Sequence, residues 1–306
     1  LEGPGSIRPG RRLQWWLFNM SPDQRKRSGR QASEEFKQMT ADRAAQKWLW
    51  HLPWLDLPRG AFEDETEAVH YWLKNPHTDP WKLDQGVKEI SVPNFDIVGW
   101  HDHCNGDMLL YKTMVKEAKT ETARTGSRIM IGPWSHSGRG RREYGSIDFG
   151  PEAVVDTRAL EIRWFDYWLK GKPNGVDEDA PVKIFVMGEN RWRDEQDWPL
   201  KRTQDRVLFI TSKGKANTPG GDGLIVDQKP SVDGSDRYVY DPADPVLTLH
   251  GKSSFTHASD QRPLADRRDI LVYQSQPVTE RIEVTGNPVV ELYAASSAPD
   301  TDWFVR

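Results

Sequence analysis

An α/β unit of parallel strands followed by an all-β carboxyl-terminal domain is the fold class this sequence predicts, and three observations predict it. Two short apolar runs, at residues 92–101 and 128–135, each end in a polar residue, Asp102 and His136, just past the last strand position. Between them, residues 107–119 set Met108, Tyr111, Met114, Val115 and Ala118 at helical spacing behind Asp107, which is able to cap the helix. Past Pro181 the apolar period changes from helical to two, in short runs separated by Gly, Pro and Asp clusters.

The first two observations together make a strand, helix, strand unit. Such a crossover makes its two strands parallel and delivers Asp102 and His136 to one carboxyl edge, where open α/β sheets place their ligands. A carboxylate and an imidazole on that edge are two of the three parts of a nucleophilic triad.

Taken in order, residues 1–70 read as helical. Phe36, Met39, Ala45, Trp48 and Leu49 fall on one helical face within residues 33–50, Pro53 and Pro58 stop the pattern, and the first thirty residues read as loop. Residues 70–90 return the chain to the sheet through Asn-Pro and Asp-Pro turns. After the strands and helix at the centre, residues 156–170 carry Leu160, Trp164, Trp168 and Leu169 on one face, and Gly171 is suited to end that helix in a left-handed conformation. Residues 173–179 read as a linker. The strands expected beyond it lie at 182–187, 206–210, 237–240, 270–273, 279–284 and 288–294, a set with no intervening helix that suggests an antiparallel sandwich.

Composition excludes several functions. The chain has 306 residues, of which 36% are hydrophobic, and its 42 basic and 46 acidic side chains nearly balance, so no field draws it to nucleic acid or to an anionic membrane. No apolar run approaches the roughly 20 residues that cross a bilayer. The first residues have neither a basic nor an apolar signal region. Cys104 is the one cysteine, which excludes an internal disulfide and suits a reducing, cytoplasmic compartment. Fourteen tryptophans are several times the usual share, and Trp15, Trp16, Trp48, Trp50 and Trp54 suffice for a wall as well as a core. Leu1 is not an initiator methionine and residues 301–306 stop inside a strand pattern, so the sequence reads as a piece of a longer protein.

Four ordered blocks carry a resemblance. They are Gly-Trp-x-Asp at 99–102, Gly-Pro-Trp-Ser-His at 132–136, the pair of runs at 165–171 and 182–188, and Val-Thr-Gly at 284–286 with the acidic run at 297–302. In that order they resemble the cocaine esterase and X-Pro dipeptidyl-peptidase family of serine α/β-hydrolases. The resemblance implies a partial α/β hydrolase core at 71–175 behind a helical cap remnant at 1–70. It also implies a truncated all-β jelly roll of the galactose-binding-like type at 181–306. It implies that Asp102 and His136 are the catalytic acid and base of an acyl-enzyme mechanism on a small-molecule ester or peptide, with no cofactor and no metal.

The nucleophile is absent from the pattern, because no Gly-x-Ser-x-Gly elbow occurs in the sequence and in this fold it precedes the aspartate. Ser135 and Ser137 flank His136 but sit on no strand-to-helix elbow. The 306 residues are therefore expected to be catalytically silent by themselves. His101 and His103 share one side of an extended segment, yet two histidines without a third ligand make a poor metal site. Cys104 reads as a small turn residue before it reads as a nucleophile. Trp100 and Trp134, each within two residues of a triad member, are candidates to line the substrate pocket, with core packing as the equal alternative. In the α-amino ester hydrolase branch acidic residues follow the aspartate by two and three places, and here Cys104 and Asn105 stand there, which points to a substrate without a free α-amino group. The rival from another class is a non-catalytic binding module built on the jelly roll.

Overall fold

The structure is a computed structural model and describes residues 13–41, 51–75, 86–102, 104–231, 234–247, 249, 258–299 and 301–305. Its amino-terminal part is helical: α1 spans Ser21–Ser28, α2 Glu34–Thr40 and α3 Thr66–Lys74, which bears out the helices expected past residue 33 and corrects the loop expected before residue 30, since residues 13–28 are helical. Ser33 starts α2 by accepting a hydrogen bond from the Phe36 amide at 3.1 Å. Leu13, Leu17, Phe36, Leu57, Phe62 and Val69 close a core of their own. Trp16 meets Trp72 edge-on at 5.4 Å and packs with Trp54 against that core, while Trp15 is exposed. Trp48 and Trp50 lie outside the described residues.

The central sheet contains β1 (Phe95–His101), β2 (Arg128–Ser135), β5 (Val182–Val186) and β6 (Arg191–Glu195), in the order β1-β2-β5-β6. The helix between β1 and β2, α4 (Cys104–Glu117), is followed by the short α5 (Glu121–Gly126). β1 and β2 are parallel, as the crossover requires, and β2 and β5 are parallel too, whereas β6 returns antiparallel. Every residue of β2 is buried, which is why its sequence reads as a continuous apolar run and not an alternation. Each buried Ile of that strand contributes about 1.5–3 kcal/mol relative to an exposed one.

Alternation along the strands sorts the core into two layers. Ile129, Ile131, Val182 and Ile184 face Met108 and Tyr111 of α4, together with Val98 and Trp100. The opposite face holds Phe185, Phe149 and Ala153, with Trp192 and Tyr144 against them. There α6 (Thr157–Lys170) brings Trp164 to 5.1 Å from Phe95. The Asp156 carboxylate caps α6 by accepting from the Ala159 amide at 3.0 Å, and Gly171 ends it at φ 64°, the left-handed stop expected. Leu169 departs from the predicted apolar face and is exposed. Four residues of the predicted face of α4, Met108, Tyr111, Met114 and Ala118, are buried, and Val115 is exposed. The helix begins at Cys104, three residues before the pattern suggests, so Asp107 lies in its first turn and is not its cap.

Two strand expectations need correction. The run at 182–187, assigned by its period to the carboxyl-terminal sandwich, is β5 of the central sheet, so that sheet continues past residue 181. Its residues 182, 184 and 185 are buried because both faces are covered, which a period-two pattern does not reveal. Beyond β6 the ladders among the described residues are sparse: β7 (Phe209–Thr211) pairs antiparallel with β8 (Leu224–Val226), and one isolated bridge joins Leu224 to Gln274. The runs at 237–240, 279–284 and 288–294 form no ladder, and that at 270–273 forms none beyond its neighbour's bridge, so no closed jelly roll is seen among the described residues. Val239, Val289 and Tyr293 are 84%, 89% and 97% exposed. Strand propensity is chiefly the fit of a half-buried side chain to neighbours, and these side chains have no facing layer. What ties this region to the sheet is charge: Arg193 of β6 holds Glu283 through two hydrogen bonds of 2.8 and 2.7 Å and also pairs with Glu195, to which Arg202 adds a further pair. Among the described residues no helix is long and apolar enough to cross a membrane.

Candidate active site

The register of β1 and β2 determines where the candidate residues meet. Gly99 lies against the backbone of β2, where a Cβ would fall 2.1 Å from the Trp134 carbonyl oxygen, so a side chain at 99 would force the two strands apart. The register shifts between Gly99 and His101 and then pairs His101 with Ser135. The next residue on each strand is therefore Asp102 or His136. Asp102 turns out of β1 with its amide bonded to the Gly99 carbonyl at 3.0 Å, and a matching turn after β2 bonds the Gly138 amide to the Ser135 carbonyl at 3.0 Å.

The two side chains meet. His136 Nδ1 lies 3.0 Å from Asp102 Oδ2 and 3.2 Å from Oδ1, with the imidazole side chain 58% exposed and the carboxylate 25% exposed. A carboxylate only accepts, so Nδ1 carries the proton and the lone pair of the neutral ring is on Nε2. That arrangement suits Nε2 to take a proton from a hydroxyl and to return it to a leaving group.

The two tryptophans are not brought together, because residues 100 and 134 lie on opposite faces of the sheet. Trp100 packs with the α4 layer against Trp198 and donates its indole N–H to the Phe185 carbonyl at 2.8 Å. It also lines a cleft of about 800 Å³ formed with residues 184–189, Arg191 and residues 281–286, in which neither Asp102 nor His136 takes part. Trp134 is 1% exposed, donates to the Ala153 carbonyl at 3.1 Å and packs on Trp192. Of the two readings of Trp134, substrate pocket or core, its burial fits core. Ser135 is buried in β2. His103 lies outside the described residues, and the described residues hold no group of three or more metal-ligating side chains.

Sequence reasoning missed the acid beneath the site. Burial pushes the Asp96 carboxyl up to about 7, with the Asn94 amide, donated at 2.7 Å, opposing the shift and the charge of Asp107 adding to it. The only signal was an acidic residue at an inward position of an apolar strand. Its folded value lies above the unfolded one of about 3.9, so between about pH 4 and 7 the folded state binds more protons. Stability therefore falls as pH rises through that window. Asp96→Asn is expected to remove the slope, so that urea midpoints at pH 5 and pH 8 draw together and the variant is the more stable form at pH 8.

Residues 174–306 match the family described as the X-Pro dipeptidyl-peptidase C-terminal non-catalytic domain. The chain is 35% identical over 253 residues, 74% of its own length, to the cocaine esterase of Rhodococcus sp. (strain MB1 Bresler). It belongs to the cocaine esterase and X-Pro dipeptidyl-peptidase family. It spans 43% of that relative's length. A crystal structure of an aminopeptidase from a marine sediment Thaumarchaeota archaeon shares the fold over 70% of this chain and 37% of the other, with TM-score 0.54 and 23% identity. The family's carboxyl-terminal match begins before β5, so β5 and β6 fall within it and also complete the sheet whose edge carries Asp102 and His136.

Proposed function

We propose that this chain supplies the acid and base of a serine hydrolase that acts on a small-molecule ester or peptide through an acyl-enzyme. The observation that carries the reading is the 3.0 Å approach of His136 Nδ1 to Asp102 at the carboxyl edge of two parallel strands. In the proposed cycle a serine hydroxyl adds to the substrate carbonyl as its proton passes to His136 Nε2. Asp102 stabilises the imidazolium, which then protonates the leaving group. Water, deprotonated by the same nitrogen, adds to the acyl-enzyme, and that proton returns to the serine oxygen as the acid is released. The nucleophile and oxyanion hole would come from sequence outside these 306 residues, since no Gly-x-Ser-x-Gly elbow lies within them.

Similarity to a protein named cocaine esterase favours an ester over a dipeptide-releasing activity. Cys104 and Asn105, at places where an ammonium-binding site would need acids, favour a substrate without a free α-amino group. We divide the chain into a helical cap remnant (1–70), a hydrolase core (from 71) and a carboxyl-terminal domain of jelly-roll type. The description of the matching family as non-catalytic supports a second reading for residues 174–306 alone, a binding module.

A fluorophosphonate probe tests the proposal. The 306-residue chain should remain unlabelled, and the product of the whole gene should take one equivalent on the serine of a Gly-x-Ser-x-Gly elbow and cleave a simple aryl ester. A gene product with no reactive serine would leave only the binding module, and stoichiometric labelling of the 306-residue chain would mean that the nucleophile had been misassigned.

A further inference from the structure

We propose that His101 is a positioning residue for the Asp102–His136 pair, its ring serving as the plate on which the chain leaving His136 is stacked against the end of β1. Its functional weight rests on the hydrolase reading above. The placement is unusually direct: His101 immediately precedes Asp102, and its partner in the ladder, Ser135, immediately precedes His136. The ring of His101 stacks on Tyr144 at 4.6 Å with planes 22° apart, and on Phe149 at 5.8 Å with planes 29° apart. Tyr144 belongs to β3 (Glu143–Tyr144), which pairs with β4 (Ile147–Asp148), and Phe149 follows at once. The segment from His136 to Phe149 is thus a loop held at one end by β2 and at the other by the face of His101. Ordering that loop restricts the backbone that carries His136.

Two further features fit a flat ring and not a polar hand. His101 Nε2 is buried with no hydrogen-bond partner among the described residues, an expense that calls for an explanation. Burial also lowers the pKa of this imidazole, which keeps it uncharged. An uncharged ring stacks as an aromatic and does not compete with His136 for the charge of Asp102, its neighbour in the chain. Period two turns His101 toward the layer of Phe149 and Phe185, and the same layer takes Tyr144.

The test reads the hydrogen bond itself. In the ¹⁵N-labelled 306-residue chain, the low-field Nδ1 proton of His136 and its ring nitrogens report whether Nδ1 is held by Asp102, with Asp102→Asn as the reference for its loss. His101→Ala is expected to lose that resonance, and His101→Phe, which keeps a plate of similar shape, to retain it. Should His101→Ala fail to fold by circular dichroism, Tyr144→Ala, outside the four-stranded sheet, carries the same expectation of loss. Retention of the resonance in the alanine variant that folds would overturn the proposal, as would its loss in His101→Phe or its absence from the unsubstituted chain. None of these spectra needs turnover: a whole gene product without hydrolase activity would sink the functional reading and leave the positioning result standing. Unaltered spectra in an active enzyme would do the reverse.

Discussion

Asp102→Asn is expected to lower kcat of the nucleophile-bearing enzyme by about four orders of magnitude while leaving KM and folding nearly unchanged. The expectation follows from tautomer control. With the carboxylate in place, both oxygens lie within 3.2 Å of His136 Nδ1, so that nitrogen keeps its proton and Nε2 has the lone pair. An asparagine amide offers two donors in nearly the same volume and can turn its NH₂ toward Nδ1, which moves the ring proton to Nε2 and removes the base. In the proposed cycle the carboxylate is also a counter-charge for the imidazolium formed at each proton transfer, and a neutral amide does not replace it. Folding should survive because the residue lies in a turn whose backbone bond, Asp102 N–H to the Gly99 carbonyl, is unaffected. Initial rates with an aryl ester at saturation provide the measurement. An unchanged kcat would remove Asp102 from the mechanism, and a raised KM at unchanged kcat would make it a substrate-binding residue instead.

The sequence made the shared rim of this pair legible because that much depends on topology alone. A strand, helix, strand order forces parallel pairing, and two polar residues just past two apolar runs then share a rim. Whether they touch is a matter of register, and the shift between Gly99 and His101 that aligns them leaves no period in the sequence. The helices read at 107–119 and 156–170 were legible for a similar reason, since a one-sided apolar stripe and a terminal Gly171 are local signals, although the first begins at Cys104 and is not capped by Asp107. The carboxyl-terminal strands were not, because an alternating run says that one face wants cover without saying what covers it. Hence residues 182–186 joined the central sheet and residues 288–294 joined none. His101 was hidden by its chemistry: a histidine invites a ligand reading, and only the rings of Tyr144 and Phe149, more than forty positions away, show it as an aromatic surface.

Trp134→Ala tests the remaining disagreement, between a pocket residue and a core residue, and its expected cost is about 3–5 kcal/mol of unfolding free energy. The ring lies directly over Gly132, where any Cβ would sit 2.4 Å from an indole carbon, and against Trp192 at 5.6 Å, so the cavity left behind is lined by rigid strand backbone and large rings. Such a site collapses poorly, which puts the loss toward the upper end of that range. The Ala153 carbonyl, which accepts from the indole at 3.1 Å, loses a partner as well. Urea unfolding should show a lower midpoint at unchanged slope. A pocket residue behaves otherwise, with stability nearly intact and KM raised for bulky acyl groups. Trp134→Phe separates the two readings further: it keeps most of the buried area and should recover a good part of the stability, whereas a pocket would register the lost ring as altered acyl preference. The position of Trp134 on the face opposite Trp100, two residues before His136, makes the first outcome the expected one, and it would mean that the fold uses this indole to hold the strand that carries His136.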